Sequence, residues 1–186
     1  EEYQKIIDGA RQVVENYKPH IPIDPSWPMV KLEEACSFEY GRSMPEKNRK
    51  EGKFPVVGSN GVVGTHNNFL VKGPAIIVGR KGSAGEVNWV DQDCFPIDTT
   101  YFVQNKKTDS INFRFLYYTL LEMDLQSLRG GGAVPGLNRN DAYRKEIYLP
   151  PLETQKKVSD QIEEEQKLVN ANKELIRIFE EKIKET

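Results

Sequence analysis

Hydrophobic and polar positions divide the chain into three stretches with different periods. Tyr3, Ile7, Ala10, Val14 and Tyr17 recur at alternating steps of four and three, and Ile6 and Val13 widen the stripe. This spacing predicts an amphipathic helix over 1–17. Pro19, Pro22, Pro25 and Pro28 then exclude further helix and impose an extended strap ending near Trp27. Glu1 is not a methionine and already stands inside the helical pattern, so the expectation is the tail of a longer helix.

Residues 29–149 change character. Short helical signals fall at Leu32–Phe38 and Asn112–Leu125, while Phe54–Val57, Ala75–Gly79, Val87–Val90 and Thr99–Val103 read as apolar strands between Gly and Asn turns. A helical run inside a strand-rich segment predicts an α+β domain with mixed or antiparallel strands rather than a βαβ repeat. From 150 to 186 the period returns to that of a helix. Pro151 suits a first helical turn, and Val158, Ile162, Glu165, Val169, Asn172, Ile176, Phe179 and Ile183 follow at steps of four and three. Leu168 and Leu175 broaden this coiled-coil-like seam, and the polar Glu165 and Asn172 within it limit which partner fits. One helix cannot bury such a stripe alone. Its partner is residues 1–17, a second copy, another subunit or the chain's own head. The expected organisation is a helix tail and strap (1–28), a globular domain (29–149) and a long C-terminal helix (150–186).

Composition alters this picture in one respect. Of the 186 residues, 29% are charged and 38% hydrophobic, and the formal net charge is -2. That average conceals a split. Residues 1–41 carry 4 basic and 8 acidic side chains, 42–145 carry 15 and 10, and 146–186 carry 7 and 10. A basic middle between acidic flanks points to a polyanion-binding face on the globular part and other contacts for the ends. No apolar run approaches the roughly 20 residues of a membrane span, and no secretory signal is visible. Cys36 and Cys94 lack CxxC spacing, so the expectation is two unpaired thiols in a reduced, cytoplasmic protein.

Several chemical signals fail on spacing. Gly58, Gly61 and Gly64 form GxxGxxG, not the dinucleotide GxGxxG, and Gly79-Arg80-Lys81-Gly82-Ser83 is not a P-loop. Asp91, Asp93 and Asp98 lack the Glu-x-Lys of a nuclease, and His20 and His66 stand far apart without ligand neighbours. Leu149-Pro150-Pro151-Leu152 offers no amide or carboxylate to hold an extruded base, unlike the Pro-Pro motif of adenine methyltransferases. No catalytic residue, metal site or cofactor site is assigned to the chain.

Four strings in fixed order carry a family resemblance. They are Phe54-Pro55-Val56-Val57-Gly58-Ser59-Asn60-Gly61 with Gly64, Gly73-Pro74-Ala75-Ile76-Ile77-Val78-Gly79-Arg80-Lys81-Gly82-Ser83 with Gly85, Asp98-Thr99-Thr100, and Leu149-Pro150-Pro151-Leu152-Glu153-Thr154-Gln155. Together they resemble the specificity subunits of type I restriction-modification systems over nearly all of 27–186, and residues 4–28 look like the joint before a second recognition domain. The resemblance implies a non-catalytic subunit whose target-recognition domain reads one half of a split site in double-stranded DNA. It also implies helices that space the halves and dock adenine-methyltransferase (M) subunits, and through them the restriction (R) subunit. S-adenosylmethionine would then sit on the methyltransferase partner. A free-standing half-subunit, the recognition end of a fused methyltransferase-nuclease, and a coiled-coil adaptor that never touches DNA remain open.

Within the domain, Ser59-Asn60-Gly61 and Arg80-Lys81 with Ser83 are the best candidates for a DNA face. Arg80 can fork onto a guanine edge or a phosphate, Lys81 supplies a point charge, and Asn60 can pair with an adenine edge. Asn-Gly is equally a common hairpin turn, which leaves Asn60 with a structural alternative. Arg129-Gly130-Gly131-Gly132 and Leu137-Asn138-Arg139-Asn140 add Arg129, Asn138 and Arg139 as further candidates. Val158, Ile162, Val169, Ile176, Phe179 and Ile183 are the candidate partner-helix seam.

Overall fold

The computed structural model describes residues 2–131 and 136–184. Gly132 of the glycine loop lies outside the described residues, as do the side chains of Tyr3 and Ile6 from the first stripe.

Chain order is helix α1 (Glu2–Asn16), strand β1 (Met29–Lys31), helix α2 (Leu32–Ala35), and strands β2 (Cys36–Tyr40), β3 (Phe54–Gly58), β4 (Gly61–His66), β5 (Ala75–Gly79), β6 (Val87–Val90), β7 (Phe95–Pro96) and β8 (Thr100–Asn105). Helix α3 (Phe113–Glu122), strands β9 (Arg129–Gly130) and β10 (Gly136–Leu137), helix α4 (Arg139–Tyr143), strand β11 (Glu146–Tyr148) and helix α5 (Leu152–Lys184) complete it. The architecture is α+β. An antiparallel sheet ordered β2-β8-β5-β6 forms the centre, beside a mixed sheet ordered β4-β3-β7. β5 is buried at all five positions, the continuous apolar run expected of a central strand.

The helix expected over Leu32–Phe38 is corrected. Only Leu32–Ala35 is helical, and Cys36–Tyr40 is a strand paired with β8 in the register Phe38↔Val103. Cys36 and Phe38 face the core while Ser37 and Glu39 are half-buried, a period-2 pattern too short to separate from a helical one before pairing decides it. Both thiols are fully buried, and that burial pushes Cys36 up to about 12 and Cys94 up to about 11.

Two features fasten the ends to the head. β1 pairs with β11, and Leu149 N–H donates to Pro28 O, so the end of the strap and the start of α5 lie side by side. Gln155 is fully buried. Its Nε2 donates to Pro150 O and Ser110 O, and its Oε1 accepts from Asn112 N–H. Asn112 in turn caps α3 by accepting from Phe115 N–H. One amide thus ties the Pro-Pro turn to the start of α3, which gives the terminal Gln of that motif a physical task.

α5 then meets two partners in succession. Val158 and Ile162 pack into an apolar cluster with Ile21, Phe115 and Tyr118. Arg114 reinforces the junction by stacking on Trp89, with its Cζ 3.6 Å from the ring centroid, and by pairing with Glu163 at 2.7 Å. Beyond this, α1 lies against α5: Tyr17 Oη donates to Glu165 Oε2 at 3.2 Å, and Arg11 pairs with Glu180. Burial, reinforced by Glu165, pushes the Tyr17 phenol up to about 12, so the hydroxyl keeps its proton at neutral pH. Val169 and Ile176 are half-buried, and Phe179 and Ile183 are exposed together with Leu168 and Leu175. Among the described residues, no helix is long and apolar enough to cross a membrane.

Candidate nucleic-acid interface

Three loops that are distant in sequence meet at one carbonyl. Thr99 O accepts from Ser59 Oγ at 2.6 Å, from Arg80 N–H at 2.8 Å and from Lys81 N–H at 3.1 Å. The turn between β3 and β4, the loop after β5 and the Asp98-Thr99-Thr100 turn are thereby joined. Three of the motif strings therefore describe one place.

Glycine makes this junction possible at two points. Gly61 closes the β3–β4 turn with φ +100, a conformation that side-chain-bearing residues rarely adopt. A Cβ on Gly79 would sit 2.1 Å from Ser83 O and 3.2 Å from Ser59 Cβ. The Arg80–Ser83 loop can fold back over the end of β5 only because that atom is missing.

A fourth segment joins from below. Leu137 N–H donates to Arg80 O, Lys81 bridges Gly136, and Arg129 Nε donates to Ala84 O at 2.5 Å. The β9–β10 pair therefore flanks the loop after β5, and α4 starts one residue beyond β10. Arg139, the first residue of α4, donates from Nη1 to Phe38 O at 3.0 Å. Its Cζ lies 4.9 Å from the Tyr40 ring centroid, and Arg80 Cζ lies 5.3 Å from the same centroid. Arg80 also donates from Nε and Nη2 to Asp98 O. Tyr101 forms the floor, its ring 5.2 Å from Tyr40 and its hydroxyl bonded to Leu137 O at 3.1 Å. Burial and then Tyr40 raise the Tyr101 phenol, against an opposing pull from Arg80 and Arg139, so it remains a neutral donor.

The sequence-derived candidates fall into two kinds in this cluster. Asn60, Lys81 and Arg129 are exposed, and Arg80 and Arg139 are half-buried with their guanidiniums held by main-chain carbonyls. Ser59 is buried with its hydroxyl committed to Thr99, Gly61 serves the turn, and Asn138 caps α4 by accepting from Asn140 N–H. Ser83 is half-buried, and its carbonyl accepts from Glu86 N–H at 3.3 Å. Sequence reasoning missed Tyr40. It belongs to no motif string, and it stands at the end of a strand of which the first three residues read as part of a helix. Also unforeseen are Val62 and Val63, exposed on β4 beside Asn60.

The cluster brings together arginines held by main-chain carbonyls, an exposed amide and exposed apolar side chains, residue types that contacts to nucleic-acid grooves use. The histidines and two of the aspartates have structural tasks. His66 Nδ1 accepts from Lys50 N–H, His20 contacts Glu122, Asp93 accepts from Gly73 N–H, and Asp91 accepts from Trp89 Nε1. Among the described residues, no group of three or more His, Cys, Asp or Glu side chains could hold a metal ion.

Comparison with known proteins supplies the family. Residues 25–178 match the family model for the type I restriction modification DNA specificity domain. A putative type I specificity subunit from Mycoplasma pneumoniae is 23% identical over 175 residues, covering 90% of this chain and 56% of that protein. The type I S subunit from M. genitalium aligns with TM-score 0.61 and 18% identity over 70% of this chain and 37% of that one. The HsdS subunit from Thermoanaerobacter tengcongensis aligns with TM-score 0.67 and 18% identity over 94% and 49%. A structure from work on complex assembly and conformational transition of the type I R-M system gives TM-score 0.74 and 18% identity over 99% and 52%. The chain thus spans about half the length of three of these relatives and 37% of the M. genitalium subunit. At this identity the structural likeness speaks for the fold, and the family model, which spans most of the sequence, speaks for membership: the chain belongs to the type I restriction-modification DNA specificity domain family.

Proposed function

We propose that this chain reads one half of a split DNA target for a type I restriction-modification complex, with α1 and α5 spacing that half from the other and docking the methyltransferase subunits. Chemistry belongs to those partners. S-adenosylmethionine and methyl transfer reside on the M subunits, and the R subunit joins through them. The observation that carries the reading is the convergence on Thr99 O, which places Asn60, Arg80 and Lys81 on one surface next to Arg129 and Arg139. The acidic, seam-bearing α5 suits protein contact rather than DNA. An adaptor that never touches DNA would have no use for the donors that Arg80 and Arg139 keep beyond their main-chain bonds.

Titration of labelled duplex with the isolated chain at several salt concentrations tests the DNA-binding part. Binding is expected to be weak and to fall steeply with salt, since each neutralised phosphate contributes roughly 0.9 to the slope of log affinity against log salt. Lys81→Ala is expected to reduce that slope by about 1 with little dependence on sequence. Salt-independent binding, or a slope unchanged in Lys81→Ala, contradicts the assignment.

A further inference from the structure

We infer that Tyr40 is a positioning residue that holds Arg80 and Arg139 as a paired reader of a guanine edge, so that the recognised half-site contains at least one G·C pair read through this cluster. The inference rests on the DNA-reading function proposed above.

The two arginines come from unrelated places, the loop after β5 and the first turn of α4. Their guanidiniums converge on one ring, 5.3 and 4.9 Å from its centroid, and Tyr40 is 51% exposed. Each guanidinium is also pinned on one side by a main-chain oxygen, Asp98 O for Arg80 and Phe38 O for Arg139. Among the described residues, Nη1 of Arg80 and Nε and Nη2 of Arg139 make no hydrogen bond. Both side chains therefore have a fixed plane and free donors.

A fixed plane matters for one kind of DNA contact and little for the other. Phosphate neutralisation is served by a mobile point charge, the role that exposed Lys81 can fill. A bidentate contact to O6 and N7 of guanine needs two donors held in one plane, at a geometry set before binding. Cation–π contact with the Tyr40 ring supplies that constraint where the carbonyl bonds alone leave each guanidinium free to pivot. Tyr40 is itself braced by the Tyr101 ring beneath it. The arrangement is costly to build for a contact that a lysine could make, which is why it points to base reading.

The test uses the assembled methyltransferase containing the complete specificity subunit, supplied with a random-sequence duplex library whose methylated members are sequenced. In the parent, one G·C position should depend on this cluster. Tyr40→Ala is expected to lower discrimination at that position by about 5- to 150-fold, leaving the other positions intact. Tyr40→Phe, which keeps the ring, should restore the parental pattern. Arg139→Lys keeps the charge but loses the fork, and should relax the same position. It carries the test on its own if circular dichroism shows Tyr40→Ala to be misfolded. Parental discrimination in Tyr40→Ala and Arg139→Lys overturns the inference. So does a uniform loss across all positions with a shallower salt slope, which would mark the cluster as a phosphate clamp. A parent complex that follows no motif at all would instead refute the recognition function on which the inference rests.

Discussion

Ile162→Asp is expected to separate α5 from the head and to cost about 4–5 kcal/mol or more of stability. Ile162 is 2% exposed among Ile21, Phe115, Tyr118 and Val158. Deleting such a side chain to Ala costs about 2–5 kcal/mol from lost transfer energy and the cavity left behind. A carboxylate at the same place adds the penalty of an unpaired buried charge, several kcal/mol after relaxation. At roughly 2–4 °C per kcal/mol for a chain of this size, the melting temperature should fall by on the order of 10 °C. Ile162→Val, which removes one methyl group, should cost only about 0.5–1.5 kcal/mol. The central sheet draws on a different cluster built on Phe38, Ile76, Val78 and Leu120, so part of the far-ultraviolet signal should persist when the junction opens. Thermal melts of the three proteins decide the point. Equal melting of Ile162→Asp and the parent would show that the junction contributes nothing to stability.

Gly79→Ala should disable the candidate interface through the backbone. The added methyl would lie 2.1 Å from Ser83 O, and a carbonyl cannot rotate away as a flexible side chain can. The loop carrying Arg80 and Lys81 must then move, and its bonds to Thr99 O must lengthen or break. Overpacking of this kind costs about 1–3 kcal/mol, but the effect on DNA should exceed the effect on stability because the displaced residues belong to the proposed reading surface. Gly9→Ala provides the contrast. It lies in α1 with nothing within 4 Å of the added atom, and should gain about 0.5–1 kcal/mol. Melting temperature and duplex affinity, the latter at low salt, measured on both variants check the claim. A Gly79→Ala protein that binds DNA like the parent would show that the loop's position is immaterial.

Much of this architecture is legible in the sequence because its signals are local. Pro150, Pro151 and a long run of four-three spacing announce α5, and the apolar runs at Phe54, Ala75 and Val87 announce β3, β5 and β6. What escaped depends on distant partners. β1 and β11 are three residues each and exist only because Met29 meets Tyr148 across the domain. Cys36–Tyr40 alternates for just five residues, and its pairing with β8 rather than any local preference makes it a strand. β4 was concealed by its own glycines, which read as turn punctuation although the strand accommodates Gly64 beside a register shift between Val56 and Val57.

The interface divides in the same way. Its motif strings stand out in the sequence, but no periodicity reveals that three of them share the carbonyl of Thr99. Nor does spacing separate Ser59, whose hydroxyl is spent inside the fold, from Asn60 next to it, which is exposed. Tyr40 carries no motif, and only three-dimensional folding brings two arginines to its ring.

Methylome sequencing of a host with and without the intact subunit that contains this chain tests the central claim most directly. If the chain reads half of a split target, methylation at one split, adenine-containing motif should disappear when the subunit is removed and return when it is restored. An unchanged methylome, in a host where the partner methyltransferase subunits are present, would contradict the account.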